Sequence, residues 1–100
     1  MAVVVFRNRM APDHDSVAYA ARVAEIYGYA AKMPGFRSIK DFAAEDGERV
    51  AVIEFDTEAQ VRAWGAHAEH RKAQQEGRDV WFSEYTLQVC EVVRESRFQR

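Results

Sequence analysis

The sequence predicts an α+β domain of ferredoxin-like βαββαβ order, an antiparallel sheet with its helices on one face. Three observations predict it. Runs of β-branched and aromatic residues mark strands near both ends and in the middle of the chain. Two stretches of helical periodicity, each opened by a capping residue, lie between them. An Asp46-Gly47 pair separates the two middle strands as a hairpin turn. At 100 residues the chain suits one domain spanning 1–100.

The first strand is expected over residues 2–9. Alternation puts Ala2, Val4, Phe6 and Asn8 on one face and Val3, Val5 and Arg7 on the other. A helix follows over 14–32, with Asp13 and Asp15 near its start to cap free N–H groups. Its expected apolar face is Val17, Ala20, Val23, Ala24, Ile26, Tyr27 and Ala31. Its expected polar stripe is Asp15, Arg22, Glu25, Tyr29 and Lys32. Pro34-Gly35 ends it. Residues 36–55 read as a hairpin with a primed turn at Asp46-Gly47 and a plausible bulge in its first arm.

Thr57-Glu58-Ala59-Gln60 matches a capping box and predicts a second helix, with Val61 and Trp64 among its apolar members. Gly65 weakens it, and a more polar helical piece runs from Ala68 to Glu76, stopping at Gly77. Residues 80–95 read as a last strand, long against the roughly 5–6 residues of a typical one. Two helices cover one sheet face. The other, carrying valines and aromatics, is left to an interface or a ligand.

Composition excludes several functions. The net charge is −2 and no basic patch suits a phosphate backbone, so nucleic acid is not an expected partner. No apolar run approaches the roughly 20 residues of a membrane span, and Ala2–Phe6 meets Arg7 too soon for a signal peptide. Cys90 is the single cysteine, so a reducing cytoplasm is the expected compartment and an inert buried thiol its expected state. No phosphate loop, nucleophile elbow or CxxC motif is present.

Three features could carry chemistry. His67 and His70, three apart, share a helix face. That spacing can hold a metal, but no third ligand is evident, so no metal is expected. Alternatively one histidine caps or bonds across the break between the helical pieces while the other is solvated. Asn8 ends an otherwise apolar strand face, and its amide either polarises a ligand or meets solvent. Twelve aromatic residues are generous for this length. Trp64, Trp81, Phe82 and Tyr85 could pack a flat substrate or serve as core and interface.

The segments Met33-Pro34-Gly35-Phe36, Glu54-Phe55 and Ala63-Trp64-Gly65-Ala66-His67-Ala68-Glu69-His70 resemble the antibiotic biosynthesis monooxygenase family of the dimeric α+β barrels. Gln74-Gln75-Glu76-Gly77 and Trp81-Phe82-Ser83-Glu84-Tyr85 extend the resemblance over nearly the whole chain. The resemblance implies a homodimer whose sheets form a barrel, with the last strand shared. It implies a cofactor-independent oxygenase acting with O2 on an anthrone- or quinol-type aromatic, held between sheet and helices. Asn8 and Trp64 match the family's assisting residues, and His67 or His70 would act as base. Phe6, Tyr27, Phe55, Trp81 and Tyr85 are the expected substrate contacts. An enclosed pocket lined by Asn8, Trp64 and a histidine would favour the enzyme; filling by Tyr27, Phe55 and Trp81 would favour a non-catalytic binding or structural dimer. In the heme-degrading branch the iron ligand falls where this chain has Gln74, a poor ligand, which counts against heme degradation and leaves heme binding through His67 or His70 as a third reading.

Overall fold

The computed structural model describes residues 1–100. Its strands are β1 (Ala2–Met10), β2 (Phe36–Ala43), β3 (Arg49–Phe55) and β4 (Phe82–Glu91). The helices are α1 (Ser16–Ala31), α2 (Glu58–Ala66) and α3 (Ala68–Glu76). The sheet order is β2-β3-β1-β4 and every pairing is antiparallel. This is the ferredoxin-like α+β arrangement, with its second helix split in two.

Residues opposite one another in the ladder share a face, so the register sorts the side chains. Ala2, Val4, Phe6 and Asn8 stand opposite Phe55, Ile53, Ala51 and Arg49 on one side. On the other they stand opposite Glu91, Val89, Leu87 and Tyr85. The helices cover this face. Ile26 and Ala30 of α1 and Val61 and Trp64 of α2 close the core over Ala2, Val4, Ala51, Ile53 and Phe55. The opposite face carries Val3, Val5, Val50 and Val52, with Phe42 of β2 53% exposed, and no helix lies on it.

Four expectations need correction. In α1, Val17 is 80% exposed, and Ala20, Ala24 and Ala31 face solvent. The inward residues are Tyr19, Val23, Ile26, Ala30 and Met33, while Tyr29, expected on the polar stripe, packs against the core. Alanine on every side leaves little contrast to fix a helix's rotation. The hairpin turn is not primed. Gly47 N–H donates to the Ala44 carbonyl and only Gly47 has positive φ, at 92°. That is a type I turn closed by a left-handed glycine, the commonest three-residue hairpin loop. Finally, the last strand is shorter at both ends than expected: Val80 and Trp81 belong to a π-helical turn, and β4 ends at Glu91, with one further bond from Val92 N–H to the Met1 carbonyl. Cys90, expected to be buried, is exposed.

The Met33–Phe36 corner and the start of α2 lock together. Thr57 Oγ1 accepts from Gln60 N–H at 3.2 Å, and Gln60 Oε1 accepts from Thr57 N–H at 3.0 Å. The Gln60 carboxamide lies against Gly35, which has φ 82°. A Cβ there would overlap it. Gly35 also offers its carbonyl to Asp56 N–H at 2.9 Å. Thr57→Ala is expected to cost about 1 kcal/mol by loss of the cap. Gly35→Ala is expected to cost more, since left-handed strain alone adds roughly 1–2 kcal/mol. Urea unfolding of both variants checks the order.

Candidate functional site

Val61 and Trp64, one turn apart on α2, point into the core. The helix stops after Ala66 because His67 takes an extended conformation, φ −61° and ψ 132°. Three bonds close the break. His67 N–H donates to the Trp64 carbonyl at 3.1 Å. His67 Nδ1 accepts from Glu69 N–H at 3.2 Å, which caps α3. His70 Nδ1 lies 3.1 Å from the same Trp64 carbonyl. The His70 ring stacks on the Trp64 indole, with centroids 4.2 Å apart and planes 9° from parallel. Both histidines therefore serve the break, and neither is simply solvated.

These bonds assign the protons. A carbonyl can only accept, so neutral His70 carries its proton on Nδ1 and keeps the Nε2 lone pair. His67 is the reverse: Nδ1 accepts, so its neutral form carries the proton on Nε2. Burial pushes the His70 pKa below its ordinary 6.5; the Trp64 carbonyl pulls the other way, and the neighbouring His67 adds to the lowering. Of the two, His70 is built as a neutral base.

Asn8 sits further along β1. It is 5% exposed, and its Oδ1 is buried without a hydrogen-bond partner. Such an atom is uncommon in folded proteins. The open depression of about 290 Å³ next to it is lined mainly by Arg7, Glu48, Glu84 and Thr86, which the ladder puts on the uncovered face of the sheet, so the Oδ1 does not open into it. On the helix-bearing face the Phe6 ring meets Phe82 and Tyr85, each at 5.4 Å. Leu87 and Val89 continue this apolar floor along β4, at 47% and 44% exposure.

Helix α3 passes over that side of the sheet. His70, Ala73 and Gly77 follow one helical stripe, and Ala73 packs on the core. Gly77 is needed for its size: a Cβ would come within 2.9 Å of the Phe82 ring. The Arg22 guanidinium grips both Glu76 carboxylate oxygens, at 2.8 and 3.1 Å, and ties α3 to α1. A five-residue π-helical turn, Gly77–Trp81, then leads into β4.

Among the expected site residues the fold thus forms two groups. Trp64, His67 and His70 meet at the helix break. Phe6, Asn8 and Tyr85 meet at the β1–β4 end of the sheet. The depression that Asn8 borders opens on the uncovered face of the sheet, and neither Trp64 nor a histidine lines it. Phe55 belongs to neither group: it has no exposed surface and packs edge-on against Phe36 at 5.7 Å. Tyr27 is committed elsewhere, donating to Asp41 Oδ1 at 2.6 Å; burial and that carboxylate raise its phenol far above the ordinary range. Trp81 lies against Tyr19 at 5.4 Å.

Sequence reasoning missed Tyr19, which touches both Trp81 and Phe82. The signal existed, because Tyr19, Val23, Ile26 and Ala30 recur at helical spacing. It also missed Arg49, whose guanidinium lies over the Tyr19 ring at 5.8 Å.

A model of the antibiotic biosynthesis monooxygenase family matches residues 1–76. The chain belongs to that family. The match runs from β1 to the end of α3 and so includes Asn8, Trp64, His67 and His70. This family member is 31% identical over 81 residues to the uncharacterized protein YqjZ of Bacillus subtilis, covering 81% of this chain and 71% of YqjZ. Its fold superposes on Rv0793 of Mycobacterium tuberculosis with a TM-score of 0.81 at 15% identity, covering 96% and 98% of the two chains. It also superposes on a variant of SnoaB, a cofactor-independent oxygenase of Streptomyces nogalater, with a TM-score of 0.79 at 14% identity and 94% coverage of each.

The lowered His70 pKa makes a stability prediction. Between the folded pKa and 6.5 the unfolded chain binds the proton more readily, so stability falls as pH drops through that window. His70→Gln can still donate to the Trp64 carbonyl and does not titrate. Denaturant unfolding from pH 7.5 down to 5 is expected to show a steeper loss in the parent than in His70→Gln.

Proposed function

We propose that this chain is a cofactor-independent monooxygenase oxidising a planar phenolic, anthrone or quinol-type substrate with O2. The observation that carries the reading is the His70 imidazole, neutral, stacked on Trp64 and holding a free Nε2 lone pair. Membership of the monooxygenase family and the fold shared with an oxygenase support it.

The chemistry asks little more of the protein. Triplet oxygen reacts slowly with closed-shell molecules, but an electron-rich anion can give it one electron. His70 Nε2 takes the substrate's acidic proton. The anion passes an electron to O2, and the substrate radical and superoxide combine to form a C–O bond. The peroxide takes a proton back from His70. Its O–O bond then breaks as a proton leaves the same carbon, giving a carbonyl and one water. Overall a CH2 and O2 become C=O and H2O. Asn8 holds a substrate oxygen through its amide, and Trp64 fixes the base and keeps water from its face. Purified protein free of metal and flavin is expected to consume oxygen with an anthrone or hydroquinone, and Asn8→Ala and Trp64→Phe to slow it at least tenfold. Unchanged rates in both variants would overturn the assignment.

A second reading has its own support. Phe55 is fully buried, Tyr27 is held by Asp41 and Trp81 lies against Tyr19, as the filled interior of a non-catalytic binding or structural dimer would have them. Ligand binding without oxygen uptake would select it.

Either reading includes a homodimer. The uncovered valine face is the surface a second copy would bury, since a lone chain leaves Val3, Val5, Val50 and Val52 without a covering layer. Sedimentation is expected to give twice the 11.5 kDa chain mass, and Val5→Glu to return it to one. A monomeric parent would contradict this.

A further inference from the structure

Helix α3 is the part of the helical layer that the core holds least. It has no buried residue, and Ala73 is its one apolar side chain packed on the core. By contrast, α1 sends in Ile26 and Ala30, and α2 sends in Val61 and Trp64. Both ends of α3 are also breaks. His67, extended, precedes it, and the π-helical turn Gly77–Trp81 follows it. Each is a place where the backbone can swing without bending a regular helix.

Two contacts hold the far end of α3 down. The Arg22 side chain of α1 is only 16% exposed and donates to both Glu76 carboxylate oxygens, at 2.8 and 3.1 Å. A guanidinium fork on a carboxylate is a strong and directional pair. One residue on, Gly77 seats against the Phe82 ring. Its φ of −57° and ψ of −47° suit any residue, so the seat asks for its size and not for its backbone freedom. Phe82 in turn meets Phe6, Tyr19 and Tyr85. Lifting the C-terminal half of α3 therefore gives up one ion pair and one close seat, buries little less apolar surface, and uncovers an aromatic wall. His70, in the first turn of α3 and bonded to the Trp64 carbonyl, stays beside the hinge. Such a movement has a use. Asn8 and Trp64 are each 5% exposed, so a substrate that meets them needs an element of the helical layer to move.

We propose that α3 is a lid on the helix-bearing face of the sheet, hinged at His67 and at the π-helical turn and latched shut by Arg22 on Glu76. That a substrate enters beneath it rests on the proposed function; the opening itself does not.

Native-state hydrogen exchange tests the lid on the intact chain, without a ligand. Isolated helices shorter than roughly 12–15 residues are marginal in water, so α3, once lifted, cannot hold its own hydrogen bonds. Each opening is then read as exchange of its amides. The amides of residues 72–76 are expected to exchange through an opening that depends weakly on urea. Those of β1 are expected to exchange only through the strongly urea-dependent unfolding of the whole chain. Glu76→Gln leaves the Arg22–Glu25 bond in place and is expected to speed α3 exchange roughly threefold or more. Arg22→Gln should do the same. The double variant should fall well short of the product of the two, because the same pair is lost either way. Gly77→Ala probes the seat independently of the latch. Helix propensity alone would slow α3 exchange in that variant, whereas a blocked seat on Phe82 is expected to speed it. Exchange of α3 only together with β1, no response to Glu76→Gln, or slower exchange in Gly77→Ala would overturn the lid. Oxygen uptake from a quinol by a chain whose α3 opens only with global unfolding would sink the lid and leave the oxygenase standing. An α3 opening that answers to the latch, without oxygen uptake from any phenolic substrate, would do the reverse.

Discussion

The Trp64 carbonyl is the point on which the candidate site turns. In an unbroken helix it would accept the N–H four residues on, and His70 would have nothing to bond there. Because the chain turns extended at His67, that carbonyl is shared between the His67 N–H and His70 Nδ1. One break in one helix thus sets the tautomer of a half-buried imidazole and stacks it on an indole. Trp64 itself is held by the core, so the pair inherits the rigidity of the sheet beneath it.

The sheet sets the second constraint. Its two faces are apolar for different reasons. The helix-bearing face builds the core over β1 and β3 and thins out along the edge strand β4, where Leu87 and Val89 stay partly exposed. The other face has no layer of its own. The aromatic surplus divides along this line. Phe36 and Phe55 serve the core, while Phe6, Tyr19, Phe82 and Tyr85 gather around the start of β4.

Much of this was legible in the sequence where a local signal had one meaning. The capping box at Thr57–Gln60 and the face of β1 follow from residue chemistry within a few positions. The rotation of α1 did not, because alanines satisfy either an inward or an outward position. The turn type at Gly47 did not, since both hairpins want a left-handed glycine and differ in loop length and in whether Asp46 also takes positive φ. The ends of β4 did not, because Val80, Val92 and Val93 have the propensity of strand residues, and only the pairing limits the ladder to Phe82–Glu91. In the site, the sequence singled out His67 and His70 but could not divide their roles. Which nitrogen each commits depends on backbone groups exposed only by the break.

The most direct test of the central claim is the protonation of His70 itself, read from ¹⁵N and ¹H NMR of the imidazole as pH is varied. The account predicts a neutral ring at pH 7 with its proton on Nδ1, titrating below 6.5. A neutral ring protonated on Nε2, or titration at or above 6.5, would contradict it.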